Sequence, residues 1–408
     1  MDEIFRYVVG LDVGTENVRA VIATINKDKK LTVVGYNEAK NSGMRKGIVA
    51  NLAGPAEAID KALGEVERMS GYEVNSATIS INGAQILTTR VEGMIAVGMP
   101  DHEITADDLD RVEQVAVTGR IPANMDILDV VPLSYALDEQ GGIKDPVGMV
   151  GSRLEMRASI ITALSPNCSS LKRAAEVAKV STERLVPSVV AAAKAVLSEK
   201  QMENGVAVID FGAATTSVAI FEEGDLQYVG VVPAGSNNVT NDLAIMLEVN
   251  TEVAEEIKRR YVNAEFNETK DVVLKIGREE MKFDRRKIDE VVEARLEEIF
   301  EKARKELKKA GFDRRLPEGI VLTGGGAKMR GIESFAKKIL EASVKLGEIS
   351  DCSGGVSDAI KKPEYATAIG LMMIAAESDD AKKMPKNKKK TGKKEKKEGF
   401  LKRFFKKF

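Results

Sequence analysis

The sequence predicts an α/β protein with a duplicated two-lobe fold, an inserted α+β subdomain and a C-terminal amphipathic helix. Three observations predict it. The first is the stretch Val8-Val9-Gly10-Leu11-Asp12-Val13-Gly14-Thr15-Glu16-Asn17, an apolar run that ends in an aspartate, a glycine and a hydroxyl residue before strand-like spacing resumes at 18–25. The second is its echo at 205–221, where Asp210 and Gly212 repeat Asp12 and Gly14 between a buried-type strand and an alternating one. The third is the end of each half, an apolar strand closing on small residues: Ala77-Thr78-Ile79-Ser80-Ile81-Asn82-Gly83-Ala84 and Gly319-Ile320-Val321-Leu322-Thr323-Gly324-Gly325-Gly326-Ala327. Two such β-β-β-α-type halves facing each other place Asp12 and Asp210 on opposite walls of one cleft.

The first lobe begins over 1–83. The hairpin around Asp12 continues in Leu31-Thr32-Val33-Val34-Gly35, and 55–69 has helical spacing with Ala58, Ile59, Ala62, Leu63 and Val66 on one face. Residues 84–164 have no counterpart in the second half and read as the inserted subdomain. Strands are expected at 86–97, 127–137 and 154–164, with turns at Gly141-Gly142 and Asp145-Pro146. Between them a helix opens with Thr105 as N-cap and turns Leu109, Val112, Val115 and Ala116 inward. The first lobe continues over 165–203 through helices at 168–180 and 187–198, the second rich in small residues. The second lobe spans 204–240, an insertion at 241–316 and a continuation at 317–354. The insertion carries helices at 241–248 and 253–261 and a long charged amphipathic helix at 285–310. Residues 355–378 return to the first lobe, 379–398 read as a disordered basic linker, and 399–408 as the amphipathic helix.

A chain of 408 residues exceeds what one core usually serves, which agrees with two or more lobes. Aromatic residues are scarce and Trp is absent, which argues against a base-stacking surface and hence against nucleic acid as a partner. With one histidine, His102, and two cysteines, Cys168 and Cys352, at no ligand spacing, a zinc site or a histidine-based triad is not expected. No signal peptide is evident, and no apolar stretch is long enough to span a bilayer. The net charge of −2 hides an asymmetry, because 377–408 hold fourteen Lys/Arg against five Asp/Glu. A basic tail on an acidic body points to a polyanionic partner for the tail.

The chemistry of the cleft follows from residue types. Gly14 lets backbone N–H groups approach a ligand closely, and Thr15 adds a donor. Asp12 would repel a phosphate. It makes sense as the holder, through water, of a divalent cation that carries the phosphate charge. The plainer alternative is an ordinary hairpin with a polar turn. Gly324, Gly325 and Gly326 give the backbone room to lie against a flat adenine-ribose unit.

Together with the run from Leu322 to Lys328, the two aspartate hairpins resemble the nucleotide site of the actin, Hsp70 and sugar-kinase superfamily. Over roughly its whole length the chain resembles the FtsA family of bacterial cell-division proteins within it. The resemblance implies an actin-like (RNase H-like) fold and a bound ATP with Mg2+. Asp12 and Asp210 would serve the metal. Gly14, Thr15, Asn17, Gly212, Ala213, Thr215, Gly324, Gly325, Gly326 and Lys328 would surround the nucleotide. Glu255 and Lys258 fall where the superfamily holds ribose and adenine, although Glu/Lys pairs are also common helix decoration. Two departures matter. Ala213 and Ala214 stand where extra glycines are common, and the water-positioning glutamine or glutamate falls on Lys194. A lysine is no general base unless strongly shifted. The expectation is ATP binding with slow or negligible turnover.

Lys287, Val291 and Arg295 lie on one flank of the long helix, an apolar residue between two cations. That suits a peptide with an acidic or carboxylate terminus and an apolar anchor. The resemblance implies that the peptide is the C-terminal tail of FtsZ; the alternative is a solvated helix face. It also implies filaments with subunit contacts through 84–164 and 241–316, other division proteins as partners, and peripheral attachment to the cytoplasmic face of the cell membrane at the division site. Two rivals share the core. A small-metabolite kinase needs a carboxylate base beside a substrate pocket, and a PilM-like pilus-assembly scaffold is not expected to end in an amphipathic helix.

Residues 382–397 hold ten lysines and almost nothing apolar, so they read as a tether. At about 100° per residue, Phe400, Leu401, Phe404, Phe405 and Phe408 share one arc, and Lys402, Arg403, Lys406 and Lys407 occupy the rest. An anionic lipid surface supplies both the apolar burial and the counter-charge such a helix needs.

Overall fold

The computed structural model describes residues 6–26, 30–98, 103–276, 279–312, 315–349 and 357–377. In the first lobe β1 (Arg6–Val13), β2 (Asn17–Ile25) and β3 (Leu31–Lys40) form an antiparallel meander. A short hairpin, β4 (Met44–Arg45) and β5 (Ile48–Val49), leads to α1 (Ala53–Ser70), and β6 (Ser76–Ile81) returns parallel to β1. The five apolar residues expected on the inner face of α1 are all buried.

The insertion folds as its own sheet. Its elements are β7 (Leu87–Ala96), α2 (Ala106–Val117), β8 (Met125–Leu137), β9 (Gln140–Ile143) and β10 (Arg153–Leu164), with strand order β7-β10-β8-β9. Thr105 does occupy the N-cap of α2, although its side chain accepts no bond from the helix; instead Asp108 reaches back and accepts from the Thr105 N–H and hydroxyl, at 3.0 and 2.7 Å. Val112 and Ala116 pack on the sheet as expected. Val115 instead faces outward, because one residue before Ala116 is about 100° away from the packed stripe.

The chain then forms α3 (Ser165–Val177), β11 (Ser181–Pro187), α4 (Ser188–Val196) and α5 (Glu199–Asn204). The second lobe comprises β12 (Val206–Phe211), β13 (Thr216–Glu222), β14 (Asp225–Val232), α6 (Ser236–Leu247), α7 (Thr251–Tyr261), β15 (Val272–Ile276), β16 (Glu279–Phe283), α8 (Arg285–Lys309), β17 (Ile320–Thr323), a 3-10 turn at Gly325–Lys328, α9 (Ile332–Leu340) and β18 (Val344–Leu346). Next come α10 (Ser357–Ile360), a 3-10 turn at Pro363–Tyr365, and α11 (Ala366–Glu377), which packs on β1 and α4 in the first lobe. Small residues permit that last contact: a Cβ at Gly370 would run into the Ala191 carbonyl.

The duplication is complete at the level of topology. The first sheet reads β11-β6-β1-β2-β3 and the second β14-β13-β12-β17-β18, so each strand of one has its counterpart in the other. The pair β11 and β18 was not anticipated, since Ser181-Thr182-Glu183-Arg184 is polar and partly exposed at a sheet edge. β12 is buried on both faces. Val206 and Val208 join the first lobe's core, while Ala207, Ile209 and Phe211 join the core under α8 and α9. No helix among the described residues is long and apolar enough to cross a membrane.

The insertion also clasps the second lobe. The Thr88 hydroxyl donates to the Val229 carbonyl at 3.0 Å and accepts from the Val229 N–H at 2.8 Å. Ser159 donates to the Gln227 carbonyl at 3.2 Å, and Lys144 pairs with Asp225 at 2.7 Å. These contacts cover the β14 edge, which would otherwise invite strand pairing with another chain. Excision of 84–164 would therefore strip the second lobe as well as the first.

Candidate functional site

Both aspartates sit where a central strand enters its hairpin turn. Asp12 pairs across β1–β2 with Arg19, and Asp210 across β12–β13 with Ser217. The turns are built alike. The Gly14 N–H donates to the Asn17 carbonyl at 3.1 Å, and the Gly212 N–H to the Thr215 carbonyl at 2.9 Å. A Cβ at Gly14 would lie 2.7 Å from that carbonyl and one at Gly212 2.9 Å, so the turn admits only glycine at both places.

The turns face each other across a cleft of about 900 Å³ between the lobes. All of the residues assigned above to nucleotide and metal line it, from Asp12 through Lys328. The Ser80 hydroxyl donates to Asp12 Oδ1 at 2.8 Å and accepts from the Val13 N–H at 2.9 Å. Burial pushes the Asp12 carboxyl above its ordinary value, against the pull of Arg19 and Ser80. Burial, with the neighbouring Asp12 charge, pushes Asp210 up to about 7. Two buried carboxylates facing one cleft would both be stabilised by a shared cation. Among the described residues no cluster of three or more His, Cys, Asp or Glu offers a protein-only metal cage. A pair of carboxylates suits Mg2+, which keeps several waters and takes further oxygens from phosphate.

Several residues of the cleft were not anticipated. Arg19 lowers the pKa of both aspartates, pairs with Glu38 at 3.1 Å and lies over the Tyr365 ring at 5.6 Å. Its strand register opposite Asp12 is the signal that could have found it. The Asn82 amide donates to Ser188 Oγ at 2.9 Å and to Thr215 Oγ1 at 3.0 Å, while its oxygen accepts from Ser217 Oγ at 3.2 Å. Glu16 accepts from Lys40 at 2.7 Å and from Asn237 at 3.1 Å. Asn82 and Glu16 thus tie the two lobes together at the cleft floor. Their partners across the cleft are over a hundred positions away, and no local pattern marks them.

Lys258 is more than decoration. It is 8% exposed, and its ammonium reaches Glu255 at 2.6 Å, Thr240 Oγ1 at 2.8 Å and the Ser236 carbonyl at 3.3 Å. Burial lowers its pKa, opposed mainly by Glu255. The glycine run is more divided than expected. A Cβ at Gly326 would strike the Phe211 ring, and Gly324, at φ 89°, is closed in by Asp210 and the Phe211 backbone. All three line the cleft, but only Gly325 has room for a Cβ. Lys194 does not line the cleft. It faces α11 and pairs with Glu377 at 2.7 Å, because it lies near the C-terminal end of α4 while Ser188, at its start, reaches the site.

A second groove of about 580 Å³ lies between α6 and α8, lined by Ile245, Met246, Val291 and Arg295. Ile245 is 76% exposed. The expected trio is divided here. Lys287 is exposed but does not line the groove, whereas Arg295 is engaged by Asp242, at 3.1 Å through one of its nitrogens, and by Glu298. Arg295 is therefore not a free cation. The tail, including Phe400, Leu401, Phe404, Phe405 and Phe408, lies outside the described residues, as do His102 and Cys352.

Comparison with known proteins places the chain by family and by fold. A family model described as Cell division protein FtsA matches residues 207–370, and one described as an SHS2 domain inserted in FtsA matches 83–162. The Cell division protein FtsA of Pseudomonas aeruginosa is 34% identical over 373 residues, covering 90% of this chain and 89% of the relative. That of Bacillus subtilis is 32% identical over 372 residues, covering 90% and 83%. Among solved structures, a chain of a PilM-PilN type IV pilus biogenesis complex superposes with a TM-score of 0.66 at 17% identity, over 91% of this chain and 99% of that one. MreB5 of Spiroplasma citri bound to ADP gives 0.53 at 16%, over 90% and 95%. At those identities the likeness is one of fold.

Proposed function

Because the chain belongs to the FtsA family of actin-like cell-division proteins, we propose that it binds ATP with Mg2+ between its lobes and polymerises on the cytoplasmic face of the cell membrane. There it holds FtsZ filaments at the division site. The observation that carries the nucleotide reading is the pair of matching hairpin turns with Asp12 and Asp210 facing one cleft. Mg2+, when bound, neutralises the phosphate oxygens. The chain's own groups do the rest: the hairpin N–H groups orient phosphate, Arg19 adds a positive charge, and Lys258 with Glu255 bounds the nucleoside end. Turnover is slow in this reading: Glu16, Glu38, Glu255 and Glu364 are each paired with a lysine or arginine, which weakens a carboxylate as a base. Co-sedimentation with anionic vesicles and electron microscopy, with and without ATP, test the proposal. Nucleotide-dependent filaments on the vesicles are expected. Soluble monomers that phosphorylate a small metabolite would overturn it in favour of a kinase.

The groove between α6 and α8 is the proposed seat of the FtsZ tail. Its exposed Ile245 and Met246, with Val291, supply an apolar floor, so the anchor contributes more than the charges. Met246→Asp with Val291→Asp is expected to weaken binding of a tail peptide by about 100-fold, because burying each such apolar side chain against the peptide stabilises by about 1.5–3 kcal/mol. Lys287→Glu should chiefly reduce the salt dependence. Fluorescence anisotropy checks both, and an unaltered isotherm places the peptide elsewhere.

A further inference from the structure

Each hairpin turn of the cleft is held by the chain that follows the third strand of its lobe. After β14 the backbone does this: the Ser236 N–H donates to the Gly212 carbonyl at 2.9 Å, and the Asn237 N–H to the Ala213 carbonyl at 2.7 Å. After β3 the place is taken by Asn41. Its N–H donates to the Glu16 carbonyl at 2.9 Å, and its side-chain amide donates to the Gly14 carbonyl at 2.7 Å. The glycine carbonyl is thus engaged in both turns, by a backbone group in one and by a side chain in the other. Gly14, Thr15, Glu16 and Asn17 all line the cleft, whereas Asn41 stands behind them and does not.

A planar trans peptide points its N–H opposite to its C=O. The Gly14 carbonyl shares a peptide with the Thr15 N–H, and the Glu16 carbonyl shares one with the Asn17 N–H. By holding both carbonyls, Asn41 fixes two peptide planes and turns the Thr15 and Asn17 N–H groups away from itself, toward the cleft that those residues line. The Thr15 hydroxyl is set as well. Its oxygen accepts from the Gly47 N–H at 3.1 Å, which leaves its proton for a ligand. Asn41 Oδ1 is buried without a hydrogen-bond partner among the described residues. An unpaired acceptor is costly, so what the site gains from this amide is its donor side.

We propose that Asn41 is a positioning residue for the phosphate groups of the nucleotide. It acts through the turn, holding the peptides whose N–H groups meet phosphate. What it excludes is a flip of the Gly14–Thr15 peptide, which would aim a carbonyl oxygen at the phosphate, acceptor against anion. Gly14, with no side chain, offers little resistance to that flip. The Asn41 amide does, because the flip would break its bond to the Gly14 carbonyl. In the second lobe the corresponding plane is held by a backbone N–H, which a side-chain substitution leaves in place. The inference rests on the nucleotide reading above and adds the group that aims the donors.

The test is calorimetric titration of the full chain with ATP and with adenosine, each with and without Mg2+. The wild type is expected to bind ATP more tightly than adenosine. Asn41→Leu, which keeps the volume and loses the donor, should weaken ATP by about tenfold or more and adenosine by less than about twofold, because only ATP loses hydrogen bonds to a charged group. The loss should persist without Mg2+, since the N–H groups meet phosphate directly, whereas the loss in Asp12→Ala requires the metal. Asn41→Ala is titrated alongside, and thermal unfolding establishes that each variant folds. Equal losses for ATP and adenosine, no loss for ATP, or a chain that folds with neither substitution would each overturn the positioning role while the nucleotide site stands. If the wild type binds neither ligand, or ATP no more tightly than adenosine, the phosphate reading falls and the role of Asn41 with it.

Discussion

Asp12→Ala lowers the affinity for Mg2+-ATP by about 10- to 100-fold and does not weaken metal-free binding, because it also removes a charge that repels phosphate. The substitution removes one of the two carboxylates facing the cation site, a charge-assisted interaction worth about 1.5–3 kcal/mol, or about 10- to 100-fold in binding. Asp210 makes the same interaction depend on pH. Its carboxyl is pushed up to about 7 by burial and by Asp12, so near pH 6 it is largely protonated and must release its proton to serve a cation. A carboxyl whose pKa is raised by folding keeps its proton in the folded chain after the unfolded chain has lost it. Between the unfolded value and about 7, the ligand-free fold therefore loses stability as pH rises. The Mg2+ ion bound with ATP would set a positive charge between the two aspartates and reverse the trend. The ligand-induced rise in unfolding temperature is accordingly larger at pH 8 than at pH 6, and Asp210→Asn flattens the difference. Calorimetry with and without Mg2+, and thermal unfolding across that range, measure both effects. An unchanged affinity in Asp12→Ala would remove the cleft as the metal site.

Phe404→Glu with Phe405→Glu releases the protein from anionic vesicles while nucleotide binding persists. The tail's apolar arc holds four phenylalanines and a leucine, and burying one such side chain stabilises by about 1.5–3 kcal/mol. The double substitution takes two of those five side chains out of the lipid and sets two negative charges against an anionic surface, where each basic residue contributes about 1 kcal/mol. A segment this short is marginal as a helix in water, so leaving the interface also removes what stabilises the helix. The partition coefficient is expected to fall by about 1000-fold or more in vesicle co-sedimentation. The lysines of 382–397 remain in the double variant, so it separates apolar insertion from simple charge attraction. Retention on vesicles would show that the lysines suffice and that the phenylalanine face has another purpose.

The sequence by itself determined what is local. The Asp-x-Gly turns were legible because a glycine next to a returning carbonyl is a requirement of the turn, met at Gly14 and again at Gly212. The inner face of α1 and the cap of α2 followed from helical period and from one side chain three residues from its partner. The two-lobe fold followed from repetition of such units. Only the tertiary structure decided which side chains meet from a distance. It made Lys258 a buried hub, turned Lys194 toward Glu377, engaged Arg295 with Asp242, and set Asn82 between Ser188 and Thr215. It also separated one open glycine, Gly325, from two that serve packing. The physical reason is range. Turn geometry and amphipathic period act over a few residues and are written in neighbouring letters. Burial and hydrogen-bond partnership arise from the summed packing of the whole chain, which brings Asn82 to Thr215 and Lys328 to Glu364 with no mark in either local sequence.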